Sequence, residues 1–163
     1  MTKRAALCLI PLLLAAPAAA RDSLGIYANW GAFRDPAVPR CYAVAKAEPS
    51  RRQRSFEPYA DVGTWPKRGL RGQVHFRLSQ AIAPGSRVTL SLGGQRFGLS
   101  AGGGDAWSGD KRMDAAVVAL MRSAAAMAVY GRDAAGRNFS NIYRLEGAAT
   151  AMDAAAIGCA GMR

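Results

Sequence analysis

GIYANWGAFRDPAVPRCYA, residues 25–43, is the stretch from which the fold is read. Alternation predicts a strand over residues 24–30, with Leu24, Ile26, Ala28 and Trp30 on one face and Tyr27 on the other. Gly31 and then Asp35-Pro36 are expected to break it. A second strand is predicted over residues 40–47. There Cys41, Ala43 and Ala45 share one side and Tyr42 and Val44 the other, so both sides of the strand are fit to be covered.

The partner of Cys41 follows from the rest of the cysteine pattern. The chain opens with Lys3 and Arg4, an apolar run over residues 5–16 and the small residues Ala18, Ala19 and Ala20, the layout of a cleavable export signal. Cleavage is expected after Ala20, leaving one domain over residues 21–163 that resides in the periplasm or is secreted. The apolar run is short for about 30 Å of hydrocarbon, and no later stretch is long and apolar enough to span a membrane. Cys8 departs with the signal, so Cys41 and Cys159 remain and an oxidising compartment lets them pair. Closing a loop of that length is worth about 4–5 kcal/mol in the chain-entropy model. His75 is the single histidine, so two cysteines lack the further ligands of a metal site; neither metal nor cofactor is expected.

Loss of Lys3 and Arg4 lowers the formal charge from +11 to +9. Such a balance favours acidic partners: an envelope protein, anionic lipid or an envelope polysaccharide. Export makes nucleic acid the least expected of them. The excess of Arg over Lys, together with the many Ala and Gly residues, reads first as compositional bias.

Outward from the opening stretch, residues 48–58 (EPSRRQRSFEP) form the most polar segment, with Arg51, Arg52 and Arg54 the densest basic cluster; a solvated loop is the plain reading. Trp65 to Gly69 prepares a turn. Residues 72–79 alternate cleanly, with Val74, Phe76 and Leu78 inward and Gln73, His75 and Arg77 outward. Residues 87–92, the Gly93-Gly94 turn and residues 95–100 make a hairpin, and the three strands read as an antiparallel meander. Gly102-Gly103-Gly104 lacks the Lys-Ser/Thr of a phosphate loop and reads as a flexible connection pinned by Trp107. Asp110 caps a helix over residues 111–124 with Met113, Val117, Leu120 and Met121 in a stripe. A second hairpin spans residues 128–145, and an alanine-rich helix over residues 148–158 carries Cys159 at its end. The predicted fold is α+β: a mainly antiparallel sheet of six or seven strands, open to sandwich-like packing, with two helices and one disulfide.

No nucleophile motif or ligand cluster accompanies these elements. His75 is expected on a wet face without a carboxylate to orient it, which a general base requires. A catalytic role would need a concave pocket holding His75 with a carboxylate about 3 Å away. Aromatic residues interspersed with arginines favour an interface instead, and Trp30, Arg34, Arg51, Arg52, Arg54, Arg68 and Arg71 are the candidate binding surface.

Trp30, the Cys41-Tyr42-Ala43 segment and the tail YRLEGAATAMDAAAIGCA resemble the invasion-associated locus B family of small exported alphaproteobacterial proteins. Tyr143, Leu145, Gly147, Ala151 and Ala155 match that family's closing segment of strand, glycine and short helix. The resemblance implies a signal-bearing, non-catalytic envelope protein, although members often carry more cysteines than this chain. The expected function is therefore binding of another protein or an anionic envelope surface. A small hydrolase with a non-obvious site and an inhibitor of an envelope enzyme are the alternatives.

Overall fold

Period-two alternation of apolar residues marks strands along much of the chain, most cleanly where Val88, Leu90 and Leu92 are buried. The structure, a computed structural model, describes residues 21–162; the export signal read over residues 1–20 lies outside them. Five strands come first: β1 (Asp22–Tyr27), β2 (Trp30–Asp35), β3 (Arg40–Lys46), β4 (Tyr59–Trp65) and β5 (Leu70–Arg77). After β6 (Val88–Leu92), β7 (Gln95–Gly102) and β8 (Asp105–Trp107) come helix α1 (Lys111–Met121), β9 (Ala126–Arg132), β10 (Asn138–Arg144) and helix α2 (Ala148–Gly158). The strands form one sheet in the order β1-β2-β3-β4-β5-β8-β7-β6-β9-β10, and every pairing is antiparallel. Long β7 joins the two halves, pairing with β6 through Gln95–Leu99 and with β8 through Ser100–Gly102.

Both helices lie against the apolar residues of this sheet. Helix α2 covers β1 to β3 and α1 packs on β5 and β6. Beneath them Trp30, Ala32, Ala43, Val74, Phe76 and Leu78 are removed from water, continuous with Leu90, Val117, Met121 and Val129. Each large apolar side chain buried in this way contributes about 1.5–3 kcal/mol. Polar ties fix the helix positions. Asp110 accepts a hydrogen bond from Met113 N at 2.8 Å, capping α1, and buried Asp114 accepts one from Val74 N at 2.8 Å, joining α1 to β5.

The opening stretch is fastened to the far end of the chain. Cys41 and Cys159 are bonded with their Cα atoms 5.7 Å apart across 118 residues of sequence. Trp30 Nε1 donates to the carbonyl of Arg144 at 2.8 Å, and Asn29 N to that of Glu146 at 3.3 Å. Gly147, at φ +87°, sits so close to the turn after β1 that a Cβ there would lie 1.8 Å from Tyr27 O. Only glycine meets both the left-handed backbone and that approach.

Several expectations change. Residues 24–30 are not one strand, because the chain reverses at Ala28-Asn29, with Ala28 at φ +48°. Ile26 is therefore exposed while Trp30, across the turn, is buried. Gly31 does not end the strand: it lies inside β2, where the Phe33 ring occupies the space of its missing side chain. Strand β4 replaces a segment without predicted structure. β5 is not next to β6, since β8 and β7 intervene, and residues 101–108 are a tight β7–β8 hairpin rather than a flexible connection. Ten strands, not six or seven, result among the described residues. The α+β class, the antiparallel sheet, both helices and the disulfide are as expected.

Replacing Cys41 and Cys159 together by Ala should lower unfolding stability by about 2–5 kcal/mol, the usual cost of removing such a bridge; urea denaturation measures it. Tyr143 offers an opposite case. Its hydroxyl is buried without a partner among the described residues, and burial raises its pKa far above the ordinary range. Tyr143→Phe removes the cost of keeping that group dry and should raise stability by about 1 kcal/mol.

Candidate functional site

The register of six strands builds the site. Gly31 pairs with Val44, Val44 with Asp61, Asp61 with His75, His75 with Trp107, and Trp107 with Ser100. Side chains alternate between faces along a strand, so this row, with Phe33, Tyr42, Tyr59 and Gln73 two residues away along their strands, faces away from α2.

His75 is the centre of the row. Its Nδ1 lies 2.8 Å from Asp61 Oδ2 and its Nε2 3.1 Å from Asp105 Oδ1. Asp105 is held in turn by Arg77 Nη1 at 2.6 Å, and the Arg77 guanidinium rests 3.9 Å from the centre of the Phe56 ring. Burial disfavours the charged imidazole, but the hydrogen bonds and charges of Asp61 and Asp105 outweigh it and raise the pKa above the ordinary 6.5. With a carboxylate oxygen facing each ring nitrogen, the geometry suits an imidazolium that donates to both. Tyr59 stands edge-on to it at 5.8 Å and Trp107 lies tilted at 5.3 Å. Burial, then the charges of Asp61 and Asp105, raise the Tyr59 pKa.

This overturns the expectation of a histidine without acidic neighbours. The carboxylate is directly across the β4–β5 pairing, and the second arrives on β8. The geometric condition set for a catalytic His75 is therefore met: a concave pocket and a carboxylate at 2.8 Å. Yet with both ring nitrogens engaged, neither is free to take a proton from a substrate unless Asp105 withdraws.

The cavity over this row has a volume of about 560 Å³. Arg40 enters it from the start of β3, its guanidinium 4.4 Å from the Tyr42 ring centre and 5.9 Å from that of Trp65. Tyr42 is itself stacked on Phe33 at 5.7 Å. Among the described residues no carboxylate pairs with Arg40, and its Nε is buried with no acceptor. Asp35, opposite it in the β2–β3 register, is instead within 3.4 Å of Arg21. Trp65 folds back over Gly63, where a Cβ would come within 2.5 Å of the indole. Glycine at 63 lets the indole lie down on the sheet.

The sequence-based binding surface does not assemble here. Trp30 is wholly buried and belongs to the core, because its indole fills the space under α2 and its one N–H is spent on Arg144. Arg34 pairs with Asp22 at 2.6 Å. Arg52 binds Asp133 at 2.5 Å and the Asn138 carbonyl, while Arg54 holds the Glu48 carbonyl. These two arginines clasp their loop to the β9–β10 hairpin and to its own start. Arg51 is exposed on the same loop. Arg68 lies in the 3₁₀ turn Pro66–Arg68, and Arg71 rims a separate groove of about 860 Å³ between α1 and α2. The arginines at 51, 52, 54, 68 and 71 thus belong to different places and do not form one patch.

The predicted binding surface left out Arg40, Tyr59 and Trp107, and sequence reasoning missed the pairing of His75 with Asp61 and Asp105. A usable signal was present in YADVGTW, where Tyr59, Asp61, Gly63 and Trp65 alternate with Ala60, Val62 and Thr64. Among the described residues no group of His, Cys, Asp and Glu is arranged to hold a metal ion, and no helix is long and apolar enough to cross a membrane. Comparison with protein-family models, with curated proteins and with solved structures returned no match.

The His75 clamp has a pH signature. A histidine whose folded pKa is raised contributes stability in full below the unfolded value of about 6.5 and loses it as pH rises through the folded pKa. The stability difference between the native chain and His75→Gln should therefore be largest at pH 5–6 and shrink above neutrality. Urea midpoints across pH 5–9 read this directly. A difference independent of pH would mean that His75 is not an imidazolium.

Proposed function

We propose that the chain is an exported, non-catalytic binding protein of the periplasm or cell exterior, and that it engages an anionic group of an envelope component in the cavity around Arg40. One observation carries this reading: a guanidinium framed by Tyr42 and Trp65 inside a concave cavity, without a carboxylate of its own. A buried polar group left unpaired is costly, and a cation poised in an aromatic pocket is the usual mark of a site for a charged ligand. The net positive charge assists encounter with acidic envelope surfaces. The likeness of the Cys41-Tyr42-Ala43 segment and the tail to the invasion-associated locus B family supports export and the absence of turnover.

Cosedimentation of the mature chain with isolated envelope fragments tests this. Arg40→Ala should weaken retention at least tenfold, equivalent to about 1.4 kcal/mol, while Arg96→Ala on exposed β7 should not. Retention should fall steeply between low and moderate salt. Equal retention of the Arg40 variant, or indifference to salt, would sink the reading.

The Asp61–His75 contact in a cavity gives the hydrolase reading a specific basis. Under that reading, turnover of a model ester or glycoside would vanish in His75→Gln and rise with pH as the imidazolium loses its proton. The binding reading expects no turnover by either protein.

A further inference from the structure

We infer that the component taken by this cavity is an acidic saccharide, a sugar chain carrying carboxylates, with one carboxylate on Arg40 and the sugar rings laid against the indoles. This rests on the binding reading above and names its ligand. The cavity offers three kinds of contact together. Ring surfaces come from Trp65, held flat by Gly63, and from Trp107, which is 37 % exposed at the opposite rim. Between them in the register lie Gln73, paired with Gly63, and Asp61, paired with His75. Gln73 both donates and accepts. Asp61 spends Oδ2 on His75 and makes no protein hydrogen bond through Oδ1 among the described residues, which leaves an acceptor for a hydroxyl. The remaining contact is the unpaired cation, Arg40.

That inventory discriminates between acidic ligands. An acidic peptide would bring repeated carboxylates to a face that already carries Asp61 and Asp105, and has few hydroxyls to give them. A phosphate-rich surface would call for converging cations, whereas Arg21, the second arginine at this cavity, is paired with Asp35, and the arginines proposed from sequence are tied down or lie elsewhere. A sugar acid brings one carboxylate per ring, several hydroxyl donors and acceptors, and an apolar ring face of C–H groups. Each has a counterpart here: Arg40 for the carboxylate in a charge-assisted pair, Asp61 and Gln73 for hydroxyls, and the indoles for the ring face.

The test is a titration of the mature chain with short oligomers of galacturonic, glucuronic and mannuronic acid, followed by tryptophan fluorescence and calorimetry. Neutral oligomers of the parent hexoses and an oligoglutamate serve as competitors. At least one acidic oligomer should bind and perturb the fluorescence, at least tenfold tighter than its neutral counterpart. Arg40→Ala should abolish that preference. Trp107→Ala, at an exposed position, should weaken both acidic and neutral oligomers about equally. Gly63→Ala, which displaces the Trp65 ring, should do the same; if that variant fails to fold, Trp107→Ala still carries the test. Equal binding of acidic and neutral oligomers overturns the role given to Arg40. Binding of oligoglutamate alone, or of no oligomer while envelope retention still depends on Arg40, overturns the saccharide and leaves the binding reading standing. Loss of both dependences overturns the two together.

Discussion

Attachment of the first hairpin to the last helix is the constraint on which the rest depends. A disulfide, an indole hydrogen bond and one glycine all act at the same seam. Cys41 anchors the end of α2, Trp30 reaches the carbonyl of Arg144, and Gly147 admits the turn after Tyr27 where a side chain would collide. With α2 held there, one face of β2 and β3 is dry, and Ala32, Ala43 and Ala45 are small because the helix must approach closely. The other face of the same strands is released from core duty. It can carry charge, aromatic rings and a cavity without weakening the packing.

That division explains why the site has its composition. On the covered face of β2 to β5 stand Trp30, alanines, valines and Phe76; on the open face these strands place Tyr42, Asp61, Gln73 and His75. A histidine on β5 between carboxylates on β4 and β8, with an arginine behind one of them, neutralises charges that would otherwise repel from either side of β5. The clamp therefore holds β4, β5 and β8 in register beneath the cavity. Arg40 stands apart from this balance. Its charge is supported by the faces of Tyr42 and Trp65 and remains available.

Much of the architecture was legible in the sequence because local patterns coincide with tertiary demand. The β6–β7 hairpin follows from Gly93-Gly94, α1 from Asp110 and its apolar stripe, α2 from its alanines, and the bridge from reading Cys41 and Cys159 as the pair that remains once Cys8 is set aside. What stayed hidden depended on strand neighbours. Asp61 and Asp105 acquire meaning only when β4 and β8 flank β5, and nothing local to His75 announces either. The glycines at 102–104 read as looseness, whereas Gly103, at φ +61°, makes the reversal that brings Asp105 back beside β5. Trp30 misled in the other direction: an aromatic among arginines suggested a contact surface, but a large ring beneath a helix of small residues is core.

The span of the Cys41–Cys159 bridge has a consequence for how the chain comes into being. Strands β1 to β5 pair in sequence order, so they can assemble before the second half of the polypeptide arrives. Their alanine-lined face then waits uncovered until residues 148–158 emerge. Nascent chains of every intermediate length present that oily surface, and the thiol of Cys41 stays unpartnered throughout. The interval between the first strand and the last helix is thus the period in which that face is uncovered and in which premature oxidation of Cys41 can join two molecules instead of two ends.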